Sequence, residues 1–211
     1  MLTNEDFHEE HVLDDGTRVV LRHIRPTDEA ELKRGFERLS AASRYRRFQG
    51  VVNELTPNAL HYLTHVDGKD HVAIVATTLP DASGQVTGLG VARFVRAEKD
   101  PALAEVALTV VDQAQHKGLG RILGIAIARA AIERGVRRFT GPILRDNVPI
   151  RSLLEEVGAT FHPTTDGLEF EISLRDEEHG IERLLRRFLR AIASTAHGRR
   201  DDAAPAAFNA R

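Results

Sequence analysis

The chain has 211 residues, 42% of them hydrophobic and 28% charged, with a formal net charge of −2. That length buries one core and leaves room for appendages, and so balanced a charge gives no global field for capturing nucleic acid or an anionic membrane. Cysteine is absent. Disulfides, thiolate zinc sites and cysteine nucleophiles are thereby removed together, which suits a soluble protein of the reducing cytoplasm.

The opening MLTNEDFHEEH is acidic and reads as neither a secretory signal nor a transit peptide, and residues 1–15 form an extension with little core-forming pattern. Thr17–Arg25 alternates well enough for a strand. Pro26 then opens a helix capped by Thr27 or Asp28, with Leu32, Phe36 and Leu39 as its apolar stripe. Ser40–Phe48 reads as a polar, arginine-rich connection, followed by a short helix near Pro57–Thr64. Three strands of a meander follow at His71–Thr78, Val86–Val95 and Ala104–Val111. Gly118–Arg134 is a long apolar-striped helix ended by Gly135, and its apolar stretch is too short and too interrupted by Arg121 and Arg129 to cross a bilayer. Val136–Thr140 is a strand, Val148–Val157 a helix, and Phe161–His162 with Leu168–Leu174 a closing strand pair. The class is α+β: a mixed, mostly antiparallel sheet of about seven strands flanked by helices.

Beyond Leu174 the composition shifts. Ile181, Leu184, Leu185, Phe188, Leu189 and Ile192 share one face of an amphipathic helix over 176–196, with arginines on the other faces. It reads as a helix docking on the core or on a sister subunit in a homodimer. Residues 197–211 read as a disordered tail.

The chemistry concentrates in AEVALTVVDQAQHKGLGRIL, residues 104–123. A strand, a glycine-bearing turn and a helix N-terminus together make an anion site, because the first helical turn has unpaired N–H groups and a partial positive charge. Gln115 to Gly120 present successive N–H donors to a pyrophosphate, while Lys117 and Arg121 add side-chain charge. Gly118, Gly120 and Gly124 come near a dinucleotide fingerprint, but the next strand ends Phe139–Thr140–Gly141 without the acidic residue that reading needs.

Gln115-His116-Lys117-Gly118-Leu119-Gly120 matches the Q/R-x-x-G-x-G/A coenzyme A motif, and on it the chain resembles the GNAT acetyltransferases over about residues 16–175. The resemblance implies the GNAT fold and acetyl-CoA as cosubstrate, with no metal. It implies that the backbone of Val110, Val111 and Asp112 runs beside the pantetheine arm, that Gln115–Arg121 holds the pyrophosphate, and that Asn147 contacts the cofactor. Arg25-Pro26-x-Asp28, the run from Phe36 through Leu39, Ser40, Ser43, Tyr45, Arg47 and Phe48, and Ala104-Glu105-Val106-Ala107 are similar to Pat-like bacterial protein-lysine acetyltransferases. On that pattern Glu105 is the general base, and the acceptor is a protein lysine or a small-molecule amine. Acceptor choice is expected in the Ser40–Phe48 and 163–167 loops.

A base has work to do there. An amine of pKa about 10.4 is roughly a thousandth neutral near pH 7.4, and only the neutral form attacks a thioester. Without cysteine there is no acetyl-cysteine relay, so direct transfer in a ternary complex follows. Many GNAT enzymes carry a proton-donating tyrosine seven residues after the loop asparagine. Here that position is Leu154, and the only tyrosines are Tyr45 and Tyr62. A GNAT module that senses acyl-CoA without turnover is the other reading. His61 and His65 stand one helical turn apart, but HYLTH lacks the glutamate of a zinc-protease motif and no third ligand is evident, so no metal is expected. Arg44, Arg46 and Arg47 serve either to steer phosphates or an acidic substrate or as a solvated surface.

Overall fold

Runs rich in β-branched residues dominate the middle of the chain, and they pair as such runs should. The computed structural model describes residues 7–174 except 49, 146, 149, 150, 152, 153, 156, 157 and 166. Strands β1 (His8–Val12), β2 (Arg18–His23), β3 (His71–Thr78), β4 (Gly88–Arg96), β5 (Leu103–Val110), β6 (Arg138–Ile143), β7 (Thr160–Pro163) and β8 (Leu168–Ser173) form one open sheet in the order β1-β2-β3-β4-β5-β6-β8-β7. Among the described residues the sheet therefore has eight strands, not seven.

The additional strand is β1, which lies in the stretch that reads as an extension. HEEHV has no apolar face, so period-2 patterning gives no signal there. Main-chain pairing with β2, from His8↔Arg22 to Val12↔Arg18, and an ion pair from Glu9 to Arg129 recruit it instead.

Helices α1 (Glu29–Glu37), α2 (Ala41–Phe48) and α3 (Pro57–Thr64) precede β3, and α4 (Leu119–Glu133) lies between β5 and β6. α4 packs on β3, β4 and β5 through Leu119, Leu123, Ile127 and Ala131, all almost wholly buried. Alternation along a strand separates the faces. A Cβ at Gly90 would meet Leu123, whereas Val91 and Arg93 line a cavity roofed by α1, α2 and α3.

The polar connection expected at 40–48 is the helix α2. Its N-terminus is held by a residue far away in sequence: Asp112 accepts from Ser40 N–H at 2.9 Å, Ser40 Oγ at 2.8 Å and Ser43 Oγ at 3.0 Å. Ser40 is also a local N-cap, accepting from Ser43 N–H at 3.2 Å, and only the share of Asp112 leaves no trace in the local sequence. Arg44 turns back onto the end of α1, donating to Leu39 O at 3.0 Å and Glu37 O at 3.1 Å. The helix read at Val148–Val157 lies largely outside the described residues, although Arg151 N–H donates to Asn147 O at 3.1 Å. The 176–196 helix, the 197–211 tail and part of the 163–167 loop lie outside them too.

Arg93 is 5% exposed and donates to His71 Nε2 at 3.0 Å and Leu63 O at 3.1 Å. An arginine cannot accept, so His71 offers a bare lone pair and stays neutral. Burial first, then the Arg93 charge, hold His71 below its ordinary 6.5 against the pull of Asp67. Burial and Arg134 do the same to His23, against a bond with the Ala73 backbone.

An unfolded chain takes up these protons first as pH falls. The stability both histidines confer is thus present above about 6.5 and lost below it, each by about 1.4 kcal/mol per pH unit within its window. Denaturant unfolding between pH 8 and 5 should show that loss, and His71→Gln should reduce the slope. An unchanged slope would assign the acid sensitivity elsewhere.

Candidate active site

The turn joining β5 to α4 is built from backbone conformation. After β5, Val111 N–H donates to Leu89 O at 2.9 Å and a 3-10 turn covers Asp112–Ala114. His116 then takes φ 59° and Gly118 φ 82°, two left-handed positions one residue apart. A side chain pays for that conformation and glycine does not. The first bond of α4 runs from Ile122 N–H to Gly118 O at 3.2 Å, so Leu119, Gly120 and Arg121 have amides the helix does not use. Leu119 is fully buried and pins this end of the helix to the core. Free amides and a helix dipole of this kind can hold an anion such as a diphosphate.

Of the two side chains expected to add charge at this turn, Lys117 is paired within the fold. Lys117 Nζ lies 2.9 Å from Asp15 Oδ2, and bonds from Lys117 and Thr17 hold the Asp15 carboxyl at about 2. Asp14 N–H donates to Lys117 O at 3.1 Å, and an added Cβ at Gly118 would meet the Asp14 carboxylate at 3.0 Å. The β1–β2 turn is therefore seated on the anion loop, which sequence distance conceals. Gln115 Nε2 donates to Val110 O at 3.0 Å and ties the strand end to the turn. Burial would raise the Asp112 carboxyl, but its bonds from Ser40 and Ser43 outweigh that and hold it below the usual range. The Gln115 N–H is used within the turn as well, donating to Asp112 O at 3.3 Å. Arg121 is half-buried in the first turn of α4.

β5 and β6 run parallel but pair only from Leu103↔Arg138 to Glu105↔Thr140. Beyond Glu105 the two strands part, while β5 stays paired with β4 as far as Val110. The bond from Val111 N–H to Leu89 sets the alternation, and it aims the amides of Leu108 and Val110 at the open side. Because the strands are parallel, the loops that follow them lie at one end of the sheet. That brings the Gln115–Gly120 turn and Asn147 to the same end, with Asn147 N–H donating to Leu144 O at 3.1 Å.

Glu105, exposed, is the last residue of the β5–β6 pairing and shares a strand face with Ala107 and Thr109. Its charge acts on Arg47, a half-buried guanidinium on α2 that lines the cavity and stacks 5.1 Å from the Phe48 ring. Burial, then the charge of Arg47, push Arg93 down to about 10. Of the two arginines, Arg47 is the one whose charge acts with that of the proposed base. Arg93 was not found from sequence, where the only signal was a lone charge between Ala92 and Phe94 in an apolar strand.

Leu154 is buried in the core. Tyr45 is 45% exposed and sits about 200° around α2 from Ser43, away from the side that meets Asp112 and Gln115. Tyr62 is 55% exposed on α3, its ring 4.9 Å from that of His71.

No family model matches the chain. It is 34% identical over 186 residues to Acetyltransferase Pat of Mycolicibacterium smegmatis, an alignment covering 82% of this chain and 54% of that protein, so the chain spans about half that relative's length. It is 30% identical over 146 residues to an acetyltransferase of Pseudomonas aeruginosa, covering 69% of this chain and 77% of that one. The crystal structure of the GNAT domain of S. lividans PAT is similar with a TM-score of 0.70 at 29% identity, over 80% of this chain and 97% of that chain.

Proposed function

This chain belongs to the GNAT family of acetyltransferases, and we propose that it transfers an acetyl group from acetyl-CoA to a primary amine, with a protein lysine as the first acceptor to test. The observation that carries the reading is the free helix end of α4 beside the opening between β5 and β6. The left-handed turn at His116 and Gly118 and the half-exposed Gly120 fit a diphosphate held by main-chain amides. Gln115 through Arg121 hold it there, with the backbone of Val110, Val111 and Asp112 and the Asn147 loop alongside. Bound acetyl-CoA supplies an activated acetyl thioester.

Glu105 takes the proton from the acceptor nitrogen, directly or through a water, as that nitrogen bonds to the acetyl carbon and the carbon–sulfur bond breaks. The Val110 amide donates to the carbonyl oxygen as it gains charge. Arg47 puts positive charge near Glu105, which disfavours an ammonium and favours the neutral, reactive amine. Solvent protonates the departing thiolate, since Leu154 has no proton to give and Tyr45 faces away from Asp112 and Gln115.

Leu154 favours a second reading, a module that binds acyl-CoA without turnover. Thiol release and mass spectrometry on a panel of proteins and small amines, which includes small-molecule acceptors, separate the two. Amine-dependent thiol release with an acetylated product is expected. Binding of acetyl-CoA without release would replace the enzyme with the sensor.

A further inference from the structure

The two histidines of HYLTH lack a third ligand in the sequence, and the fold provides one. α3 is anchored at its start by Thr56 Oγ1, which accepts from Ala59 N–H at 3.2 Å, with Pro57 in the first turn. One turn apart on this helix, the His61 and His65 rings stack with centroids 3.7 Å apart. Glu29 reaches them from the first turn of α1, with Oε1 3.9 Å from His61 Nδ1 and 3.7 Å from His65 Nδ1. We propose that Glu29, His61 and His65 form a surface site for a divalent transition-metal ion of the zinc class, completed by water.

One donor atom from each residue lies within 4.8 Å of the others. Zinc bonds of about 2.0–2.1 Å in a tetrahedron put ligand atoms about 3.3 Å apart, so the side chains need to close by only an ångström or so. Nothing encloses them: His61 and His65 are exposed and Glu29 is half-buried, which leaves their rotamers free to make that adjustment.

His65 Nδ1 lies 3.1 Å from His61 O and 3.1 Å from Thr64 Oγ1, whose own hydrogen goes to Leu60 O at 2.8 Å. Both neighbours are then acceptors, so Nδ1 carries the hydrogen when no ion is bound, and ligation through this nitrogen, 3.7 Å from Glu29, moves that hydrogen to Nε2. Two imidazoles and one carboxylate suit zinc, nickel or copper, whereas magnesium prefers an all-oxygen shell. The ion bridges α1 to α3, the helices that roof the cavity over Arg93.

The test is calorimetric titration of zinc chloride into the chelator-treated full chain, with magnesium chloride as control. One zinc per chain with micromolar affinity and a raised Tm are expected, and no heat with magnesium. Glu29→Gln should weaken binding by about tenfold or more, and His61→Ala with His65→Ala should abolish it while the circular dichroism spectrum holds. Zinc binding that survives the double substitution places the ion on other histidines and overturns the site, as does a wild type that takes up no zinc.

Discussion

Glu105→Gln should lower kcat by about 10²–10⁴-fold while leaving acetyl-CoA affinity close to that of the wild type. The substitution keeps size and shape and removes only the ability to accept a proton. The side chain is exposed, and the strand pairings to Val95 and Thr140 at this position are made by main chain, so the fold has no reason to change. Glu105 is also remote along β5 from the turn proposed to hold the diphosphate, which separates its role from cofactor binding.

The pH dependence distinguishes a base from a merely structural glutamate. As pH rises toward the pKa of a lysine, more of the acceptor is already neutral and the deficit should shrink. A structural role predicts a deficit that stays constant with pH. Thiol release at saturating amine, followed from pH 7 to 10, reads the difference. Full turnover in the variant would remove Glu105 as the base.

Gly120→Asp should abolish cofactor binding, with a loss of about 100-fold or more, and leave stability unharmed. A Cβ at Gly120 meets only Leu108 at 3.8 Å and Val110 at 4.0 Å, ordinary contacts that ask nothing to move. A carboxylate in the first turn of a helix is favourable to the dipole, so the folded state accepts it. The same carboxylate places negative charge against the amides that would face the diphosphate, and there it repels. Gly118 is a poorer probe, because its φ of 82° and the Asp14 carboxylate 3.0 Å from an added Cβ make any side chain costly to the fold itself. Calorimetry with coenzyme A beside a thermal melt separates binding from folding. Intact binding in Gly120→Asp would discredit the anion loop as the cofactor site.

Much of the architecture was legible wherever one segment carries its own signal. α3 begins and ends where Thr56, Pro57 and the apolar spacing put it, and β3 spans the run HVAIVATT that alternation and β-branching mark. The α4 stripe and the glycines at its two ends are equally local. The Gln115–Gly120 turn is legible for the same reason, since a left-handed glycine before an apolar helix is written in adjacent residues. Such signals survive because propensity, capping and periodicity act over a few residues of chain.

Other features depended on residues far apart. β1 has no apolar face and exists because β2 offers it a hydrogen-bonding edge. The local Ser40 cap of α2 is completed by a carboxylate 72 residues away. Lys117 reads as a free cation for phosphate, yet Asp15 holds it across the β1–β2 turn. Arg93 becomes a buried partner of His71 only once β3 and β4 pair, and Glu29 meets His61 and His65 only once α1 packs on α3. By itself the sequence determined the elements that carry a local signal and pointed to a candidate anion loop and a candidate base. Only the tertiary structure decided which charges neutralise one another, because an ion pair or a cap depends on distance in space and leaves no periodic mark along the chain.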